Sequence, residues 1–267
     1  MVKVPNDFQS LTFVLKVLEW KILERDILKL LLQGKKKGRG SSLLISTLKK
    51  YGLTEELSCE EGFRTLFRDA YRRDSVALWT FGQMYVRPIG LSRDDTRAFE
   101  YFRMAAQQGH PASQSSLGIL YSTGIGVRKD ERQAFDYFRL AAEGGDHEAQ
   151  LRLARMYNKG HWVAKDEAKA ARYFQLAAEL GDSSIGQYNL GMAFMRGTGV
   201  EKSDRAASEW LERSASKGHA KAQYHMARNY HYGTGVERDD ARKQQCYRIA
   251  AAAGCKPAVD YLRCANE

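Results

Sequence analysis

The sequence lacks the long apolar runs and the metal-ligand spacings that mark several common classes of protein. No run of about 18 apolar residues occurs, and no signal peptide with a small-residue cleavage site opens the chain, which argues against a membrane span and against secretion. Cys59, Cys246, Cys255 and Cys264 form no CxxC pair and no Cys/His cluster with zinc-ligand spacing. We therefore expect free, buried thiols, no metal or other cofactor, and an intracellular protein, cytoplasmic first of all, with mitochondrial and nuclear locations left open.

Sequence signatures of catalysis are lacking as well. The chain contains no GxSxG, HExxH, P-loop or dinucleotide-binding glycine motif, and its Gly-x-Gly turns follow helical patterns rather than strands. His225 and His231 are six residues apart, which is the wrong spacing for two ligands on one helical face. The sequence therefore predicts that the protein is not an enzyme and has no catalytic residue.

The composition favours short helices and attraction to anions. Hydrophobic residues make up 43% of the 267 residues, and 23 glycines recur at matching places beside only four prolines. The formal net charge is +10, and basic residues exceed acidic ones by 15 to 10 up to residue 75 and by 27 to 22 after it. The chain is therefore drawn to anionic partners, most strongly per residue in its first part.

A run of small residues closed by glycine recurs five times along the chain. The closing glycines are Gly109, Gly145, Gly181, Gly218 and Gly254, at intervals of 36, 36, 37 and 36 residues. We place the extra residue of the one longer interval in the turn around 183–185. A period this regular is typical of helical repeat proteins.

Each period predicts two helices joined by a glycine turn. In the first helix a small residue is followed at offsets of four, five and eight by an apolar, a small and an aromatic residue, which share one face. A Gly-x-Gly-Val turn follows, as at 197–200, and the second helix carries alanine and then an aromatic pair such as Tyr137 and Phe138. An aspartate is predicted to cap the start of each second helix. The five aspartates are Asp94, Asp130, Asp166, Asp204 and Asp239.

This order of residues resembles the Sel1-like repeat family, which is related to tetratricopeptide repeats. The resemblance implies an all-α, right-handed α-solenoid of tandem helix-turn-helix repeats whose concave face binds protein or peptide. It covers five repeats over 76–254, and we interpret 255–267 as a C-terminal capping helix. Some secreted family members join each helix pair through cysteines seven residues apart. Alanines such as Ala251 and Ala258 stand at those positions here, which disfavours that subclass.

The part of the chain before the repeats is predicted to contain a helical extension over 1–57. Apolar residues recur at threes and fours over 8–32, which indicates a helix that either caps the first repeat or docks into a partner's groove. Residues 58–75 are interpreted as a degenerate half repeat, because small and apolar residues there lie one period before their equivalents.

A basic linker at 33–42 belongs to this extension. It carries Lys35, Lys36, Lys37 and Arg39. These residues form either a solvated loop or a contact with an anionic partner such as nucleic acid, phospholipid or an import receptor.

The candidate binding residues lie at the variable positions of the first helices. Related repeats place these positions on the concave face, and in the third to fifth repeats they combine cationic and aromatic side chains, the types enriched at interface hot spots. The predicted partner-binding residues are Arg155, Asn158, Lys159, Tyr188, Met192, Arg196, Tyr224, Arg228, His231 and Tyr232. They favour an acidic or aromatic-containing peptide segment as the ligand.

The sequence as a whole predicts a non-catalytic interaction scaffold or adaptor, present as a monomer within a hetero-complex. Two alternatives stay open. One is a structural subunit of a large assembly, mitochondrial or ribonucleoprotein, and the other is an RNA-binding helical-repeat protein, since basic helical arrays with aromatic residues can bind single-stranded RNA.

Overall fold

The computed structural model describes residues 69–70, 72–87 and 93–264, and no strand occurs within them. Most of the predicted N-terminal extension and half repeat, including Lys35, Lys36, Lys37 and Arg39, lies outside the described residues, so those assignments stay predictions. Eleven helices follow from Ser75 onward. They are α1 (Ser75–Val86), α2 (Asp95–Ala106), α3 (Pro111–Thr123), α4 (Glu131–Glu143), α5 (His147–Lys159), α6 (Glu167–Glu179), α7 (Ser184–Arg196), α8 (Asp204–Ser216), α9 (Ala220–Tyr232), α10 (Asp240–Ala252) and α11 (Lys256–Cys264).

The described helices fall into two compact units. The first holds α1 and α2 together with turn residues 125–127, and the second holds α3 to α11. Within the second unit each first helix packs on its own second helix, as α5 does on α6, and each second helix packs on the next first helix, as α6 does on α7. The predicted all-α repeat architecture is confirmed, and none of the helices described is long and apolar enough to cross a membrane.

Side-chain caps fix where the second helices begin. The carboxylates of Asp94, Asp130, Asp166 and Asp239 each accept a hydrogen bond of 2.9–3.0 Å from the backbone N–H three residues on. The prediction is wrong for Asp204. Ser203 is the cap of α8 and accepts from the Ala206 N–H at 3.2 Å, whereas Asp204 is the first helical residue.

The register of the preceding turn explains this correction. In the second to fifth repeats the cap follows the valine of the turn by three residues, and Val200 therefore places the cap at position 203. Serine caps a helix about as well as aspartate does, so the register decides the position and the side chain adapts to it.

Within the second unit, apolar clusters close the junctions between consecutive repeats. Between α4 and α5 the cluster contains Phe138 and Leu153, packed among buried alanines. Gly118 on α3 is buried against the same phenylalanine, since a Cβ built there would lie 2.5 Å from Phe138 Cε1. The small residues of the motif therefore do what their spacing predicts, because they let a ring from the second helix sit directly on the first helix.

The second glycine of each Gly-x-Gly turn is needed for a different reason. Gly199 and Gly235 have φ near +70°, and a Cβ would lie 1.9 Å from the Glu167 carbonyl oxygen and 2.0 Å from the Asp204 carbonyl oxygen. Each turn thus rests on the first residue of the preceding repeat's second helix. In the third repeat Trp162 occupies the equivalent position with φ 69° and a side chain that is 57% exposed.

The extra residue of the 37-residue interval lies in the turn directly before α7. Ser183 is the N-cap of α7, and Asp182 before it has a positive φ of 45°. The Asp182 carboxylate accepts from Gln187 Nε2 at 3.1 Å and pairs with Lys217 of the next repeat. The insertion therefore belongs to the turn before α7, beside Ser183, as the spacing predicts.

The described cysteines are free, and their burial is mixed. Cys255 is buried, Cys246 is half-buried and Cys264 is exposed. The expectation of buried thiols is therefore wrong for Cys264, which lies in the last turn of α11. The main contact of α11 is with α10.

A pair of glycine substitutions tests the close approach of the turns. We expect Gly218→Ala to lower the free energy of unfolding by about 1 kcal/mol, since φ there is +81° and nothing lies within 4 Å of a Cβ. Gly199→Ala should cost roughly 2 kcal/mol more, because its Cβ collides with backbone as well. Urea unfolding of both variants measures the difference, and equal losses would contradict the contact with Glu167.

Candidate functional site

The exposed side of α5, α7 and α9 carries most of the predicted binding residues. Six residues are exposed there and define what we call the first-helix surface: Arg155, Asn158, Lys159, Arg196, Arg228 and Tyr232. They occupy matching positions in the repeats, so that Arg155 corresponds to Arg228, and Lys159 corresponds to Arg196 and Tyr232. The structure therefore makes these side chains available to a partner.

Three further predicted residues contribute partly to this surface. Tyr188 and Tyr224 are half-buried, because each packs on the apolar cluster at its junction. His231 is half-buried beside Tyr232, with ring centroids 4.5 Å apart and nearly perpendicular planes. Each can present a ring edge to a partner while its other side stabilises the fold.

Met192 must be removed from the predicted set. It is 8% exposed and lies in the cluster with Leu211, Met226 and Tyr230. Its equivalents in the neighbouring repeats are the exposed residues Arg155 and Arg228. A methionine at this position fills the junction between α7 and α9, because its flexible apolar chain gains more from burial than from contact with water.

The cations of the first-helix surface have no acidic partners among the described residues. Arg155, Lys159, Arg196 and Arg228 form no ion pair within 4.0 Å there, whereas the second helices and their caps hold pairs such as Arg205–Glu209 and Lys169–Asp166. The helices α7 and α9 contain no aspartate or glutamate at all. The positive charge of this surface is therefore uncompensated and open to an anionic partner.

A series of rings runs beside these cations across the fourth and fifth repeats. The Tyr188 ring centroid lies 4.6 Å from that of His219 and 5.9 Å from that of His225. Tyr224 continues the series, 5.4 Å from His225 and 6.0 Å from Tyr247. The rings contact one another mostly at tilted or edge-to-face angles, which fixes their orientation.

His225 is the residue of this region that the sequence analysis missed as a site residue. Burial, and after it the nearby positive charges of Arg228, Arg196 and Lys221, together lower its pKa to about 4. The ring is therefore neutral at pH 7. Its signal in the sequence was its place on α9, four residues after Lys221 and three before Arg228, which puts all three on one face.

A row of buried glutamines was also missed, although its signal is clear. Gln150, Gln187 and Gln223 recur at the period of the repeat. Their side-chain nitrogens donate to carbonyl oxygens near the end of the preceding second helix, at 3.3, 3.5 and 2.8 Å. Glutamine at a fixed buried position thus ties each repeat to the one before it.

The arrangement is suited to binding a surface rather than to enclosing a small molecule. The described residues hold no group of three or more His, Cys, Asp or Glu side chains that could bind a metal. An open depression of about 280 Å³ lies on α8, lined by Glu209, Glu212, Arg213 and Ser216, away from the first-helix surface.

The five repeats of this chain match those of a known family of proteins. Five consecutive segments, 77–110, 111–146, 147–182, 184–219 and 220–255, match the Sel1 repeat. The chain belongs to the Sel1 repeat family. Sel1 repeats generally serve as scaffolds for protein–protein interaction and are generally non-catalytic, so the family supports protein partners for this chain.

Two solved structures are similar to this Sel1 repeat chain. A Sel1 repeat protein from Oxalobacter formigenes shares 29% identity with a TM-score of 0.69, over 83% of this chain and 86% of that one. The protein c5321, a protective antigen present in uropathogenic Escherichia coli strains, also shares 29% identity with a TM-score of 0.69. The match covers 87% of this chain but only 50% of c5321, so the chain spans about half the length of that relative. No curated protein sequence matches the chain significantly.

The neutral state of His225 makes the stability of the repeats depend on pH. Its folded pKa of about 4 is below the usual value of 6.5, so the unfolded chain binds more protons between these values and stability falls as pH drops from 6.5 to 4. We expect His225→Gln to reduce this fall by roughly 1–2 kcal/mol, allowing for solvent screening of a half-buried ring. Urea unfolding at pH 7 and pH 4.5 measures it. His161→Gln, in an exposed turn, is the control, and an unchanged pH dependence in His225→Gln would contradict the burial of a neutral ring.

Proposed function

We propose that this Sel1 repeat protein is a non-catalytic scaffold that binds an acidic segment of a partner protein along the first-helix surface of its third to fifth repeats. The observation that carries the proposal is the uncompensated charge of Arg155, Arg196 and Arg228, on helices of which two contain no carboxylate. The helices fix the backbone positions of these cations, so no backbone segment of this surface has to be ordered when the cations pair with an acidic segment.

The neighbouring rings support a peptide as the ligand. Tyr232 is 68% exposed, and Tyr188 and Tyr224 offer half-buried edges beside the arginines. Tyrosine and arginine together provide apolar area and directed hydrogen bonds, the combination found at the centres of protein interfaces. A segment that alternates acidic and apolar side chains would match this surface.

The packing of Tyr188 and Tyr224 argues against RNA as the principal partner. Binding of single-stranded bases requires open aromatic faces on which the bases stack. Tyr188 and Tyr224 instead pack against the apolar clusters and against neighbouring rings. Positive charge alone attracts RNA without selectivity, and that attraction weakens steeply with salt.

Charge reversal tests the proposal directly. We expect the triple variant Arg155→Glu, Arg196→Glu and Arg228→Glu to bind a labelled peptide of alternating glutamate and tyrosine more than about tenfold more weakly than the natural chain. The reason is that each reversed charge replaces attraction by repulsion. Fluorescence anisotropy of the full chain at physiological salt measures the dissociation constants.

A matched control separates the surface from net charge. Arg132→Glu, Arg172→Glu and Arg248→Glu make the same change at exposed positions of the second helices α4, α6 and α10. This variant should bind the peptide within about threefold of the natural chain. Equal weakening of the two variants would reject the first-helix surface, and tighter binding of a single-stranded RNA than of the peptide would favour the nucleic-acid alternative.

A further inference from the structure

The fourth and fifth repeats differ from the rest of the surface in the way their cations are placed. The helices α7 and α9 carry Arg196, Lys221 and Arg228 and no aspartate or glutamate. The first helix α5 also carries cations, but there Glu148 pairs with Arg152 at 2.9 Å. The helix α5 also carries the unpaired cations Arg155 and Lys159, but of these three first helices only α7 and α9 contain no carboxylate of their own.

One titratable ring lies among these cations. His225 is on the same face of α9 as Lys221 and Arg228, and its ring is 5.9 Å from that of Tyr188 on the neighbouring helix α7. Tyr224 lies on its other side, at 5.4 Å. The groups that face His225 are thus Tyr188 and Arg196 from α7, and Lys221, Tyr224 and Arg228 from α9, with no carboxylate among them.

We propose that an anionic group of the bound partner is received between α7 and α9 at Arg196, Lys221 and Arg228, and that His225 takes up a proton as this group binds. This inference rests on the proposed function and assigns the anion-binding position within that surface. His225 acts there as a binding residue, because its protonated ring adds a fourth positive charge and an N–H donor for the anion.

The electrostatics of the site supply the coupling. In the free protein, burial and the three nearby cations hold the pKa of His225 near 4. An anion placed among the same cations offsets their repulsion and attracts the imidazolium directly. An opposite charge within about 4–6 Å commonly raises the pKa of a histidine by about one pH unit or more. Proton uptake on binding then makes affinity increase as pH falls, because the two equilibria are linked.

The experiment uses a probe whose own charge does not change. A peptide of alternating cysteic acid and tyrosine keeps its sulfonates ionised across the range, unlike a glutamate peptide. We expect it to bind the full chain about fourfold more tightly at pH 5 than at pH 7, because the pKa of His225 is higher in the complex than in the free chain. Calorimetry at pH 5 in two buffers of different ionisation enthalpy should also show net proton uptake.

Two variants assign the effect to these residues. His225→Gln should still bind the probe at pH 7 but lose the increase in affinity at pH 5 and the proton uptake. Arg196→Gln should weaken binding several-fold at both pH values. Histidine NMR spectra of the natural chain, assigned with His225→Gln, should show the His225 pKa rising when the probe is added.

The outcomes separate this inference from the proposed function. If the probe binds, depends on the arginines and yet shows the same affinity at both pH values with an unchanged His225 titration, the coupling is overturned and the scaffold proposal stands. If the probe binds equally well to the variant with reversed charges at Arg155, Arg196 and Arg228, the surface itself is rejected, and this inference fails with it.

Discussion

The structure of the second unit depends on one recurring contact, the packing of each second helix against the first helix of the next repeat. No helix of 13 residues can bury its apolar face alone, and a pair of such helices still leaves one side open to water. The clusters at the junctions remove that exposure, as Leu151, Phe174 and Leu190 do across α5, α6 and α7. Burial is therefore completed between repeats more than within them.

This contact also decides which residues remain free. Positions that face the junction hold alanine, glycine, leucine, methionine, a fitted ring or the buried glutamine that donates to the preceding helix. Positions one turn away are exposed to solvent, and Arg155 and Arg228 occupy two of them. In the fourth repeat the position equivalent to Arg155 and Arg228 holds Met192, whose side chain packs into the junction. Binding capacity is thus distributed unevenly along an array that is otherwise regular.

The charge distribution follows the same division. Carboxylates cap the second helices and pair with cations along them, because the positive end of each helix and the neighbouring lysines and arginines stabilise them there. The first helices α7 and α9 have no such carboxylates, so Arg196 and Arg228 keep their charge unpaired beside the half-buried ring of His225. This chain in this way pairs charges along its second helices and leaves unpaired positive charge on α7 and α9.

The sequence by itself determined the period, the helices, the capping aspartates and the exposed arginines, because each depends on local spacing that a 36-residue repeat makes visible. Only the tertiary structure decided that Met192 is core and that His225 lies among three cations and two tyrosines. These facts depend on which side chains from different repeats meet at a junction, and such meetings are set by packing between helices. Spacing along one helix does not contain that information.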